Sequence, residues 1–390
     1  MAGPPKSRRL ATRLIHPEAY ASTDFESLAV PTWRGSTVVF EKMADVGDHN
    51  DRDQYRYGLY GTPTTRDLAL RIGAIEGAPH CIIVPCGQAA IALPYFAFCK
   101  AGDHVLLPES AYGPNRELAA GPLAALGIEV ERYDPTIGGR IAGLIRDTTT
   151  LIWCESPGSI TMEVQDVAAI SAAAKERGII VAIDNTYGAG ILFDAFAAGV
   201  DISIQALTKY AGGHSDLLLG SIAVRDARLD RRLREAQRLM GMSVSPDDCS
   251  QVLRGLKTLD VRLRRLEQSA MTVARWLDDR GEVTALLHPA FPDCPGHDIW
   301  ERDFSGSASI FSIILGDWTR EQVVRFVDSL ELFKIGYSWG GANSLVMAYE
   351  GLKRPTAEAG PKLVRLNIGL EDPLDLIDDL EQALTAGARV

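Results

Sequence analysis

Cysteine is scarce in this chain, and the six present (Cys81, Cys86, Cys99, Cys154, Cys249 and Cys294) form no C-x-x-C pair. Several sit inside apolar runs, so they read as small buried hydrophobes in a reducing compartment, not as a disulfide framework or a zinc site. His288, Cys294 and His297 lie close in sequence, but their segment HPAFPDCPGH carries three prolines and reads as a loop that holds no metal. Uninterrupted apolar runs of about 18 residues are missing, and the N-terminus lacks an apolar h-region, so a membrane is not expected and the cytoplasm is. Positive charge is outweighed: 40 Lys and Arg against 51 Asp and Glu give a net charge of −11, which speaks against a nucleic-acid surface. The basic cluster Lys6, Arg8 and Arg9 reads as a solvated arm. Neither G-x-G-x-x-G nor G-x-x-x-x-G-K-[ST] follows a strand, so dinucleotide and P-loop readings lose support. Internal repeats and low-complexity segments are absent as well.

What remains is an ordinary globular composition, 46% hydrophobic and 23% charged over 390 residues, enough for two or three domains. Residues 1–60 have no strong period and carry scattered aromatics, which suggests an arm that packs on something else, such as another subunit. The pattern Leu68, Ile72, Ile75 predicts a helix over Thr65–Glu76 ending at Gly77. Short apolar segments then alternate with helical ones. Strands are expected at His80–Val84, His104–Leu107, Glu129–Tyr133, Thr150–Cys154, Ile179–Ile183 and Ile202–Gln205. Helices are expected at Ala89–Phe98, Asn115–Leu126 and Val167–Arg177. This alternation predicts an α/β fold: a large, mostly parallel sheet flanked by helices, with function at the carboxyl ends of the strands. After Ser221 the texture changes. Arg228–Leu239 and Cys249–Arg280 read as helices, and Phe304–Leu315 and Arg365–Gly369 as strands of a smaller α+β unit. The expected division is 1–60 arm, 61–255 cofactor-binding α/β domain and 256–390 C-terminal α+β domain.

Two strand-like segments end on opposite charges, Asp184 in IIVAIDNTY and Lys209 in DISIQALTKYAGGHSD, 25 residues apart. A carboxylate and an amine delivered separately to the edge of an α/β sheet are what pyridoxal 5'-phosphate chemistry requires. The amine bonds the cofactor, and the carboxylate keeps its pyridine nitrogen protonated so that the ring accepts electrons. Pro85–Ala90 follows a strand and opens a helix whose free N–H groups could hold a phosphate, with Gly87 allowing close approach. Two local readings stay open for Tyr112, just past HVLLPES: an aromatic stacked on a cofactor ring, or one that covers a turn. Arg365, in LVRLNIG, likewise serves either an internal salt bridge or a substrate α-carboxylate.

Six motifs extend this reading: Gly61-Thr62-Pro63-Thr64, Glu155-Ser156-Pro157-Gly158-Ser159, Asp184-Asn185-Thr186-Tyr187, Thr208-Lys209-Tyr210 with Gly213-His214-Ser215-Asp216, Tyr337-Ser338-Trp339-Gly340-Gly341, and Arg365 to Asp372. In identity, order and spacing they resemble the cystathionine β-lyase branch of the trans-sulfuration enzymes, the Cys/Met-metabolism family of fold-type I pyridoxal-phosphate enzymes. The resemblance runs from about Tyr57 to Leu384. It implies that Lys209 is the Schiff-base lysine and the base for the Cα proton, that Asp184 pairs with the pyridine nitrogen, and that Tyr112 stacks on the ring. Gly87, Gln88 and Thr208 would contact the phosphate, Ser338 and Arg365 the substrate carboxylate with Trp339 beside it, and Tyr57 a neighbouring subunit's site. The implied protein is a homotetramer of catalytic dimers that eliminates the Cβ substituent of L-cystathionine or a related amino-acid substrate. A γ-elimination or a different amino acid is the alternative, and a non-catalytic cofactor-binding regulator the remotest one.

The chain departs from the family at Leu59, where an arginine usually reaches the neighbour's phosphate. Arg56 or Arg52 is the available substitute. Cys86 and Ala206 stand where serine is usual, and Gly341-Ala342-Asn343-Ser344 replaces Gly-Tyr-Glu-Ser.

Overall fold

The structure, a computed structural model, describes residues 9–15, 28–46, 54–349 and 362–388. Lys6, Arg8 and Arg52 therefore lie outside the described residues. Seven strands form the first sheet: β1 His80–Val84, β2 His104–Pro108, β3 Glu129–Tyr133, β4 Thr149–Glu155, β5 Ile180–Asp184, β6 Ile202–Ala206 and β7 Gly220–Val224. Their spatial order is β1-β7-β6-β5-β4-β2-β3. Neighbours from β3 to β6 are parallel, whereas β7 is antiparallel to both β6 and β1.

The expectation of a mostly parallel sheet holds, but β7 was not expected. Its sequence, GSIAV, is short and opens with glycine and serine, so it gives a weak strand signal. No crossover helix separates it from β6, and a direct return can only run antiparallel.

Alternate residues along each strand feed two opposite cores. Val105, Leu107, Leu151 and Trp153 pack with Ile91, Tyr95 and Leu233 on one face. Leu106, Ile152, Cys154 and Ile183 pack with Leu68, Ile170 and Leu256 on the other. Burial on both faces explains why these strands read as continuous apolar runs.

The expected helix around Leu68–Ile75 spans Pro63–Glu76. Thr62 caps it by accepting from the Thr65 N–H, and Gly77 closes it in the left-handed region at φ 71°. Two expected helices are broken. Asn115–Leu126 is a short helix, Gly113–Leu118, followed by a wider turn over Ala119–Leu123, where Pro122 supplies no N–H. Cys249–Arg280 is two helices, Pro246–Leu256 and Leu259–Asp278. Between them the Arg262 side chain donates to the carbonyls of Gly255 (2.8 Å) and Tyr210 (2.7 Å). The first of these carbonyls, at the helix end, also accepts the Thr258 N–H at 3.1 Å.

A second, five-stranded sheet contains β8 Val283–Leu287, β9 Ile310–Leu315, β10 Lys334–Ile335, β11 Leu345–Tyr349 and β12 Leu363–Asn367, ordered β10-β11-β12-β9-β8. The strand expected from Phe304 starts only at Ile310, because Ser305–Ser309 are small and irregular. Helix Leu259–Asp278 joins both cores: Leu259, Leu263 and Leu266 pack in the first, Ala270, Val273 and Leu277 in the second. A polar chain also bridges the sheets. The Tyr210 hydroxyl bonds Ser309 Oγ (2.9 Å), which donates to Asn367 Oδ1 (2.9 Å), and that oxygen also accepts the Gly340 N–H (3.0 Å). This bridge fixes the segment after Lys209 against the loop that carries Ser338 and Trp339. Among the described residues no helix is long and apolar enough to cross a membrane.

Candidate active site

Parallel strands present their carboxyl ends on one edge, and the candidate residues collect there. Asp184 ends β5 and faces Glu155, the last residue of β4, in the strand register. The Asp184 carboxylate accepts the Thr186 N–H (3.0 Å) and the Thr186 hydroxyl, whose oxygen in turn accepts the Ala206 N–H (2.8 Å). One threonine thereby ties the ends of β5 and β6 together, just before Lys209.

The helix Gly87–Phe98 begins beside the end of β6. Cys86 is its N-cap, its sulfur accepting the Ala89 N–H at 3.4 Å, and the first-turn amides of Gly87 and Gln88 have no intrahelical carbonyl to bond. A Cβ on Gly87 would sit 2.7 Å from the Cβ of Ala206, so only glycine packs here. The Gln88 side chain donates away from this helix end, to the Pro114 carbonyl at 3.2 Å, which leaves its backbone N–H as the group able to meet a phosphate. The Thr208 hydroxyl exchanges hydrogen bonds with the Leu219 backbone (3.1 and 3.2 Å) and braces the loop that leads to Lys209.

Lys209 Nζ donates to Ser338 Oγ at 2.6 Å and lies 5.6 Å from the Trp339 ring centre. Ser338 is held at φ 91°, a strained conformation for a residue with a side chain, of the kind that clusters at functional sites. Arg365, on β12, is buried; its Nη1 donates to the Ser159 carbonyl (3.1 Å) and its guanidinium lies 5.1 Å from the Tyr349 ring. Among the described residues it has no carboxylate partner, so the internal salt bridge that sequence left open is not found. Tyr112 is 42% exposed at the carboxyl end of β2, and its N–H donates to Glu155 Oε2 at 2.7 Å.

Tyr57 is not brought to this cluster. It is 49% exposed, and its described partners are Thr37 and Tyr60. Beside it the Arg56 guanidinium is enclosed and makes no hydrogen bond among the described residues. His288, Cys294 and His297 are each engaged separately, with Ala290, Met162 and Pro289. Sequence reasoning gave no role to Glu155, Ser159, Thr186 or Tyr349. Glu155 could have been found by its position, since it ends its strand as Asp184 ends the next.

Burial, and the positive charge of Arg365, push Lys209 down from 10.5 to about 8, while Asp184 pulls the other way. Burial raises Asp184, against the Thr186 hydrogen bonds and Lys209. Tyr112 is raised by burial and by the charges of Asp184 and Glu155. A lysine lowered to about 8 is partly neutral near physiological pH, and only the neutral amine attacks a carbonyl. The rate at which apoprotein takes up pyridoxal phosphate is therefore expected to rise with pH and level off above about 8. Growth of the visible band after mixing, followed across pH, checks this. A rate still climbing at about pH 10, as for an ordinary lysine, would contradict it.

These groups fit pyridoxal 5'-phosphate: a helix start that admits only glycine, a buried carboxylate, an amine of lowered pKa, and a half-exposed phenol at the same sheet edge. The comparisons with known proteins agree. A putative cystathionine β-lyase of Rhizobium johnstonii is 43% identical over 92% of this chain and 92% of its own. The cystathionine β-lyase MetC of Escherichia coli K12 is 40% identical over 96% of this chain and 98% of its own. The crystal structure of MetB from Corynebacterium glutamicum superposes with a TM-score of 0.89 at 28% identity, covering 98% of this chain and 99% of that one. The family model for Cys/Met metabolism PLP-dependent enzymes matches residues 11–385. With that match spanning nearly the whole sequence, the chain belongs to the Cys/Met metabolism family of pyridoxal-phosphate-dependent enzymes.

Proposed function

We propose that this chain is a carbon–sulfur lyase that carries out β-elimination on L-cystathionine or a related S-substituted cysteine. With L-cystathionine and one water, the products are homocysteine, pyruvate and ammonia. The observation that carries the proposal is Lys209, half-buried and lowered, donating to Ser338 and feeling both the Asp184 carboxylate and an Arg365 that has no carboxylate partner among the described residues. The names of the relatives supply the substrate class.

Bound pyridoxal phosphate supplies an electron sink for the pair left when the Cα–H bond breaks. The first-turn amides of Gly87 and Gln88 would hold its phosphate, Asp184 would pair with its pyridine nitrogen, and Tyr112 would lie beside its ring. Arg365 and Ser338 receive the substrate's α-carboxylate, with Trp339 alongside. The Tyr112 phenol takes a proton from the incoming substrate amine, and Lys209 Nζ, once displaced, takes the Cα proton. Ser338 Oγ, already 2.6 Å from that nitrogen, steers it. The working assembly is a homotetramer of catalytic dimers in the cytoplasm. Exposed Tyr57 serves the neighbouring site, and the enclosed Arg56 takes over the cation that Leu59 does not provide.

Mass spectrometry of the keto acid formed from L-cystathionine by the loaded enzyme tests the reading. Pyruvate is expected. 2-Oxobutyrate would mean that the Cγ–S bond is cut and would overturn it, and no keto acid from a fully loaded enzyme would move the substrate elsewhere.

A further inference from the structure

Glu155 is a buried carboxylate that the proposed chemistry leaves without a task. It is 5% exposed, faces the Asp184 carboxylate across the strand pair, and has no lysine or arginine partner among the described residues. Burying a second carboxylate beside the first is costly unless it is well hydrogen-bonded, and an apolar side chain would pack there at less cost. Its hydrogen bonds show what it holds. Oε2 accepts the Tyr112 N–H at 2.7 Å, and the backbone and hydroxyl of Ser159 lie close enough to the carboxylate to favour its charged form. The Ser159 carbonyl in turn accepts from Arg365 Nη1 at 3.1 Å. The Glu155 backbone is itself fixed, its N–H donating to Gln165 Oε1 at 2.8 Å.

We propose that Glu155 is the positioning residue of the site, setting Tyr112 directly and the Arg365 guanidinium through Ser159. The aromatic face and the carboxylate-binding cation are then registered to each other by one side chain, on β4, between the two elements that carry them. This rests on the reading that Tyr112 and Arg365 serve an amino-acid substrate. Burial and the Asp184 charge also push Glu155 up. Glutamine, equally long and able to accept the Tyr112 N–H, is the closest neutral substitute for Glu155.

The experiment compares cofactor-loaded Glu155→Gln, Glu155→Asp and Glu155→Ala with the wild type. The readouts are the dissociation constant for glycine, from the change in the visible band, together with cofactor content and melting temperature. Glycine brings an amine and an α-carboxylate but has no leaving group, so its binding does not depend on which bond the enzyme breaks. A wrong reaction assignment would show instead as a wrong keto acid from the wild type. Reach is decisive in a positioning role: Asp, one methylene short, and Ala are expected to weaken glycine binding by about tenfold or more, and Gln by no more than about threefold. Two results would overturn the proposal. One is Asp behaving like the wild type while Gln is impaired, which would make the charge the active quantity. The other is lower melting temperatures with glycine binding within about twofold of wild type in every variant, which would make the role purely structural. If Glu155→Ala does not load, the Gln and Asp pair still decides.

Discussion

Lys209→Ala is expected to form pyruvate from L-cystathionine at less than about 1% of the wild-type rate, since general acid–base help alone is worth about 10²–10⁴-fold. Two functions are lost together, the amine that bonds the cofactor and the base that takes the Cα proton. The cradle at Gly87–Gln88 and the Asp184 carboxylate are left in place, so the variant should still retain cofactor on gel filtration, without the covalent link. Folding should survive as well. Among the described residues the Lys209 side chain makes one hydrogen bond, to Ser338, and its loop is braced by Thr208 on Leu219 and by Arg262 on the Tyr210 carbonyl. A variant that keeps more than about 1% of the rate, with its fold and cofactor content intact, would show that another group is the base.

Asp184→Asn should lower kcat on the order of 10²–10³-fold, the size of loss seen when one preorganised electrostatic group is removed from an active site. Asparagine keeps the oxygen that accepts from Thr186, and so keeps the link from β5 to β6. What goes is the negative charge proposed to hold a proton on the pyridine nitrogen. The change should therefore appear in kcat and in the visible spectrum, with the melting temperature nearly unmoved. A threefold loss or less would mean that Asp184 does not face the ring nitrogen.

Much of the scaffold was legible because periodicity is local. Strands buried on both faces must be apolar at successive positions, and β1, β2, β4, β5 and β6 fall within a residue or two of where such runs predict them. β7 was missed because GSIAV has few branched or aromatic residues; it is a strand only because two finished edges, β1 and β6, offer it hydrogen-bonding partners on both sides. The break between Leu256 and Leu259 was missed for a similar reason. The helical period continues across it, and only the tertiary structure shows the first helix ending at Leu256, where the Gly255 carbonyl accepts from both the Thr258 N–H and Arg262.

The sequence by itself determined the fold class and the two charges on which the chemistry turns. A carboxylate and an amine at the ends of apolar strands need no knowledge of contacts to be noticed. Tertiary structure alone decided which polar groups share a site. Arg365 on the second sheet, Ser338 in a distant loop, Ser159 after β4 and Tyr112 after β2 are separated by up to hundreds of residues, and no periodicity links them. It also removed one reading of Arg365, the internal salt bridge, since the absence of a carboxylate beside a buried guanidinium, here among the described residues, can be seen only in three dimensions. Glu155 makes the same point from the other side. In the sequence it is one acidic residue after a strand, and only the register that sets it against Asp184 and its hydrogen bond from Tyr112 mark it as a candidate positioning residue.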